Sequence, residues 1–164
     1  MSNPTYNVLF LCRKNSTCSI MAEAIMNHLG QRHFRAFSAG TNPSGEVHPL
    51  TLEELRRSGL PTMACRSKSW QEFAVSGAPT MDFVYTICDD VASKINQVFP
   101  VLTITGHWAI DNPAMKIGSD DVRRHAFSLA YSQIATRIRL FLSLPLKKLD
   151  GLAHRETPEE MEMA

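Results

Sequence analysis

The chain has little net charge. Its 17 lysines and arginines face 16 aspartates and glutamates, which leaves a formal charge of +1 over 164 residues. Binding to a phosphate backbone needs a clustered basic surface, whereas the pairs Arg56-Arg57, Arg123-Arg124 and Lys147-Lys148 are scattered, so no nucleic-acid partner is expected. No apolar run approaches the roughly 20 residues of a membrane-spanning helix, and no membrane partner is expected either. The opening MSNPTYN has neither a basic n-region nor an apolar h-region, which predicts a cytoplasmic protein. The four cysteines include no C-x-x-C pair, and together with the six histidines they show no zinc-ligand spacing. A disulfide scaffold and a metal centre are therefore not expected, nor is any bound cofactor. Both glycine-rich phosphate signatures, G-x-x-x-x-G-K-[ST] and G-x-G-x-x-G, are missing as well.

What is present is enough apolar material for one core: 44% hydrophobic residues in a chain of single-domain length. Residues 8–11, VLFL, are a continuous apolar run, as in a strand covered on both faces of a parallel sheet. Ser19 is placed to cap a helix whose Met21, Ile25 and Leu29 recur every four residues up to Gly30. FRAFS at 34–38 reads as a second strand, PLTLEELRRSG at 49–59 as a helix with a glycine stop, and SKSWQEFA at 67–74 as a shorter helical stretch. Strands are expected at 82–87 and 101–105 with a helix between them at 89–98. A long last helix is expected to carry Ala126, Leu129, Ala130, Ile134, Ile138 and Phe141 on its buried face. The alternation predicts an α/β, three-layer sandwich around a central four-stranded parallel sheet. One domain spans 1–150, followed by a polar tail at 151–164.

In such sheets ligands bind at the carboxyl ends of strands, where loops enter helix N-termini. Cys12 stands at that edge, followed by Arg13, Lys14, Asn15, Ser16, Thr17, Cys18 and Ser19. A loop of backbone amides leading into a helix is an anion site, and the same field favours a thiolate, so Cys12 is the candidate nucleophile and Arg13, Lys14, Asn15, Ser16, Thr17 and Ser19 are candidate oxyanion contacts. Asn15 is expected to hold a left-handed backbone conformation, Ser19 to hydrogen-bond the thiolate, and Ser38 to brace the loop. Cys65 reads as a tolerated thiol and His107 as a structural histidine.

These residues resemble the low-molecular-weight protein tyrosine phosphatase superfamily, and within it the arsenate reductases. The resemblance rests on Val8-Leu9-Phe10-Leu11-Cys12, Asn15, Ser16, Ser19 and Met21-Ala22-Glu23-Ala24. It continues through Ser38-Ala39-Gly40-Thr41, Arg66-Ser67-Lys68-Ser69-Trp70, Asp82-Phe83-Val84, Cys88-Asp89, His107-Trp108 and Pro113-Ala114. It implies a loop cysteine that attacks phosphorus or arsenic, an arginine at the far end of the loop that clamps the oxyanion, and an aspartate before a later proline that protonates the leaving oxygen. In the arsenate reductases further cysteines turn the arsenic adduct into a disulfide, which an external thiol donor such as thioredoxin, glutaredoxin or glutathione reduces.

The chain departs from that pattern at four places: Arg13-Lys14 replaces the usual Thr-Gly after the nucleophile, Cys88 stands at the second redox cysteine but no third cysteine follows it in DDVASKINQVFP, so the longer relay cannot run in its usual positions, and the clamp and the acid are both replaced. Cys18 stands where the resemblance puts the arginine, and Asn112 where it puts the aspartate, with Asp111 the nearest carboxylate. One well-placed oxyanion donor is worth about 10² to 10³ in rate and acid catalysis about 10² to 10⁴. Losing both removes on the order of 5 to 9 kcal/mol of transition-state stabilisation. Ordinary phosphatase turnover is expected to be very weak. The leading expectation is an arsenate reductase with Cys12, Cys18, Cys88 and Asp111 as catalytic residues, taking arsenate or a phosphate-like oxyanion and releasing arsenite. Two alternatives stay open. One is a pseudo-phosphatase that binds oxyanion, or holds arsenite between Cys12, Cys18 and Cys88, without turnover; the other is a weak tyrosine phosphatase.

Overall fold

The structure, a computed structural model, describes residues 5–88, 91 and 104–153. Four strands, β1 (Tyr6–Cys12), β2 (Phe34–Gly40), β3 (Phe83–Ile87) and β4 (Gly106–Trp108), form one sheet in the order β2-β1-β3-β4, every neighbouring pair parallel. Parallel neighbours cannot be joined by hairpins, so each link is a long crossover, and all strands deliver their carboxyl ends to the same edge. β1 lies inside the sheet, paired with Phe34–Gly40 on one side and Phe83–Thr86 on the other. That is why its sequence is an unbroken apolar run rather than an alternating one.

Side chains still alternate between the two faces of β1. Val8, Phe10 and Cys12 join the larger core, with Ile20, Met21 and Ile25 of helix α1 (Cys18–Leu29) and Ile134, Ile138 and Phe141 of helix α3 (Asp120–Leu142). Leu9 and Leu11 enter a smaller cluster on the opposite face with Ala39, Val84 and Val91, against which Trp70 and Phe73 pack. Cys12 thus emerges on the α1 side of the sheet, at its carboxyl edge. Helix α2 (Pro49–Arg57) begins with a proline, which lacks only an amide that the first turn leaves unpaired. It ends at Ser58 and Gly59, the latter at φ 80°. Helix α4 (Leu146–Ala153) closes the described chain, with Leu149 buried and Asp150 accepting from the Tyr6 hydroxyl at 3.1 Å. It runs across residue 150, where the sequence pattern places the start of the tail.

Several expected elements are corrected. Helix α1 starts at Cys18 with Thr17 as its N-cap, so Ser19 lies inside the first turn instead of capping it. Residues 67–74 form only a 3₁₀ turn over Trp70–Phe73, because Ser69 accepts from the Gln71 amide and starts it late. The fourth strand lies at Gly106–Trp108 rather than 101–105; Ile104 and Thr105 precede it, while 101–103 are outside the described residues, as is most of the helix expected at 89–98. On α3, Leu129 is 52% exposed, and the buried face is made instead by Phe127, Ala130, Ile134, Ala135, Ile138 and Phe141.

Candidate active site

The seven residues from Cys12 to Cys18 curl between β1 and α1, and their carbonyls fix which way the curl faces. The carbonyls of Cys12, Arg13 and Lys14 accept from the amides of Thr41 (3.1 Å), Asn42 (2.8 Å) and Ser44 (3.0 Å). The Ser16 carbonyl accepts from the His48 amide at 3.1 Å and from Thr51 Oγ1 at 3.0 Å. In a trans peptide the C=O and the following N–H point in opposite directions. With four carbonyls drawn outward, the amides of residues 13, 14, 15 and 17 are turned toward the inside of the curl. The Asn15 amide demonstrates this by donating to Cys12 Sγ at 3.1 Å. Such a ring of inward donors at a helix start attracts an anion.

Asn15 carries the strained corner, at φ 50°. A non-glycine residue holds that conformation only when its side chain is tied down. Here it is buried, with Nδ2 donating to Ser19 Oγ at 2.8 Å and Oδ1 accepting from the Lys68 amide at 2.9 Å. Ser19 Oγ in turn lies 2.9 Å from Cys12 Sγ, the contact expected of a hydroxyl that supports a thiolate. Beside the curl, Gly40 is obligatory: a Cβ there would stand 2.6 Å from the Arg13 carbonyl oxygen.

Behind Asn15 lies a buried ion pair that sequence reasoning did not assign. Lys68 Nζ donates to Glu23 Oε1 (3.3 Å), Ser38 Oγ (3.2 Å) and the Arg66 carbonyl (3.0 Å), and Ser38 Oγ also donates to the Glu23 carboxylate. Burial pushes the Glu23 carboxyl upward more strongly than Lys68 and Ser38 draw it down. Ser38 therefore braces the loop through Lys68 and not by direct contact. Glu23 and Lys68 both stood in the matched sequence segments, but only tertiary contact brings together residues 45 positions apart.

Cys12 opens into a cavity of about 520 Å³ whose lining includes Arg13, Lys14, Ser16, Thr17, His48 and Asn112. Arg13 and Lys14 are exposed. Thr17 does not use its side chain as a helix cap; its Oγ1 donates to Asn112 Oδ1 at 3.2 Å, and Asn112 also accepts from the Ala114 amide at 3.0 Å. Asn112 thus reaches the loop, whereas Asp111 is exposed and lines a neighbouring cavity of about 600 Å³ with His125 and Leu129. The expectation that Asp111 serves Cys12 meets a different placement: Asn112 lines the Cys12 cavity and bonds the loop, whereas Asp111 is not among the residues lining it. His107 sits 2.7 Å from Thr86 Oγ1 through Nδ1 and is not among the residues lining the pocket.

Cys18 and Cys88 are joined in a disulfide across 70 residues, with Cα atoms 6.7 Å apart, while Cys12 and Cys65 are not disulfide-bonded. Cys18 is 1% exposed at the first position of α1, and Cys88 is half-buried just beyond β3. Two of the three thiols expected to converge are thus bonded to each other, and the third is the one held by Asn15 and Ser19. Burial and the nearby Glu23 charge push the Cys65 thiol up, which suits a bystander. Among the described residues no group of three or more histidines, cysteines or carboxylates could hold a metal ion.

Residues 7–149 match the low molecular weight phosphotyrosine protein phosphatase family. An arsenate reductase of Bacillus licheniformis is 30% identical over 135 residues, covering 82% of this chain and 93% of that protein. One of Shouchella clausii is 29% identical over 134 residues with the same coverage. The structure of a thioredoxin-dependent arsenate reductase of Corynebacterium glutamicum superposes with a TM-score of 0.60 at 25% identity, covering 91% of this chain and 64% of that one.

Proposed function

The chain belongs to the low-molecular-weight phosphotyrosine protein phosphatase family, and from that premise we propose that it is an arsenate reductase working through a thiol relay. One observation carries the reading: a cysteine thiol in an anion loop stands beside a disulfide whose inner half, Cys18, closes the same loop. A phosphatase has no use for that bond. Reduction of As(V) to As(III) takes two electrons, which is what the conversion of two thiols into one disulfide supplies.

Arsenate enters the cavity above Cys12, attracted by the exposed charges of Arg13 and Lys14 and bound by the inward amides of the loop and the start of α1. Cys12 Sγ attacks arsenic; the S–As bond forms, an As–O bond breaks, and the thiol proton leaves with that oxygen as water. The Asn15 amide and Ser19 hydroxyl hold the attacking sulfur in place. Cys18 then attacks Cys12 Sγ. The S–As bond breaks with its electron pair passing to arsenic, arsenite departs, and a Cys12–Cys18 disulfide remains. Cys88 attacks Cys18, freeing the Cys12 thiol and leaving the Cys18–Cys88 bond seen in the structure. An external dithiol such as thioredoxin or glutaredoxin reduces that bond and closes the cycle.

The alternatives fare worse. In the oxidised state two of the three thiols of an arsenite site are bonded to each other, and a phosphatase would need a cationic clamp and an acid where Cys18 and Asn112 stand. In an assay with arsenate, thioredoxin, thioredoxin reductase and NADPH, the wild-type protein is expected to release arsenite and Cys12→Ser to release none. Equal release by the variant would sink the assignment of the nucleophile.

A further inference from the structure

We propose that Asn112 binds the substrate oxyanion through its side-chain amide, with Nδ2 donating to an oxygen of the arsenate held above Cys12. This rests on the arsenate-reductase reading above and gives the residue at the acid's place a different task, that of a neutral donor.

Two hydrogen bonds decide which end of the Asn112 side chain is available. Its Oδ1 accepts from the Ala114 amide at 3.0 Å and from Thr17 Oγ1 at 3.2 Å. A backbone amide can only donate, so the atom facing it is the carbonyl oxygen, and the orientation of the side-chain amide follows. That oxygen is engaged twice, while Nδ2 has no acceptor among the described residues. Asn112 is half-buried and lines the Cys12 cavity together with Ser16 and Thr17 of the loop. What it offers an anion in that cavity is the pair of Nδ2 hydrogens.

The same two bonds hold the donor in place. Asn112 caps the 3₁₀ turn at Pro113–Met115, and its bond to Thr17, 95 positions away, ties that turn to the residue immediately before α1. The amide is therefore fixed against the loop that carries the inward donors, and little ordering is left to be done when an anion arrives.

The choice of amide over acid has a chemical consequence. An aspartate at 112 could accept from Ala114 and Thr17 equally well, but its other oxygen would bring a negative charge to the cavity and no hydrogen to donate at neutral pH. The asparagine brings hydrogens and no charge. It cannot deliver a proton to a leaving oxygen, so its contribution belongs to binding and is read in affinity and KM, with kcat largely unmoved.

The test compares the full reduced chain with Asn112→Asp, which keeps both acceptor contacts, and Asn112→Ser, which keeps a neutral oxygen able to cap the turn. Inorganic phosphate, an oxyanion that cannot be reduced here, is titrated into each protein by calorimetry at about pH 8, and arsenate kinetics are measured with thioredoxin, thioredoxin reductase and NADPH. Phosphate affinity is expected to fall about tenfold or more in Asn112→Asp and about fivefold or more in Asn112→Ser. The arsenate KM should rise by similar factors, with kcat within about threefold of wild type. A smaller loss of phosphate affinity in either variant, an effect that falls mainly on kcat, or a wild-type protein that binds no phosphate overturns the proposal. If the wild-type protein binds phosphate but releases no arsenite, the arsenate-reductase reading fails, while the calorimetry still decides whether Asn112 is an oxyanion donor.

Discussion

Asn15 is the residue on which the loop turns. Its left-handed backbone is maintained by two side-chain hydrogen bonds, and one of them satisfies the buried Lys68 amide. Asn15→Ala removes both bonds and keeps the unfavourable φ, and is expected to cost about 2 to 4 kcal/mol in chemical denaturation. Because Ser19 loses its anchor too, Cys12 in this variant should also be less well held, read as a slower first-order release of arsenite at saturating arsenate. Asn15→Gly should recover part of the stability and little of the rate. Residues such as Cys12, Asn15 and Ser19 were legible in the sequence because they lie within eight positions of one another on a single turn, where spacing alone determines proximity. Lys68, Glu23 and His48 were not, since their roles come from contacts between segments that the chain order keeps apart. Asp111 shows the opposite case: it is adjacent in sequence to the residue that reaches the loop, yet it lines the neighbouring cavity and not that of Cys12.

Among the elements, α2 links acidity to the site. Its N-cap is His48, whose Nδ1 accepts from the Leu50 amide at 3.1 Å and whose own amide anchors the Ser16 carbonyl of the loop. Only the unprotonated ring nitrogen can accept. Burial, and after it the charge of Arg123, lowers the His48 pKa from its ordinary 6.5. The folded protein therefore binds fewer protons than the unfolded chain. The stability from this group is complete above about pH 6.5 and is lost as pH falls from there toward the lowered value. Thermal unfolding followed from about pH 7.5 down to about pH 5.5 should show a fall in Tm that is smaller in His48→Asn, a variant that keeps a capping side chain without the titrating ring. An equal slope in both proteins would remove His48 from the account. The longer elements were readable because burial on both faces leaves an apolar run in β1 and a capped, periodic pattern in α3. The short edge strand Gly106–Trp108 has neither signal, and its place is set by pairing with Tyr85–Ile87.

At the scale of the whole molecule the disulfide joins the start of α1 to the end of β3, closing a loop of 70 residues that contains α1, β2, α2 and β3. Chain-entropy arguments assign a crosslink of that span about 4 kcal/mol of stabilisation through the unfolded state. The oxidised protein should melt higher than the reduced one, by on the order of 10 °C for a domain of this size. Cys88→Ser should melt at one temperature whether or not a reductant is present, and a wild-type Tm indifferent to reductant would mean the bond does not form in solution.

The central claim is that the two electrons delivered to arsenate come from Cys18 and Cys88 by way of Cys12. The most direct test is a single turnover of the fully reduced protein with excess arsenate and no external thiol, quantifying arsenite and mapping the thiols. The account predicts one arsenite per chain, the loss of two thiols, a disulfide between Cys18 and Cys88, and a free Cys12. Arsenite release without that disulfide, or formation of the disulfide without arsenite, would contradict it.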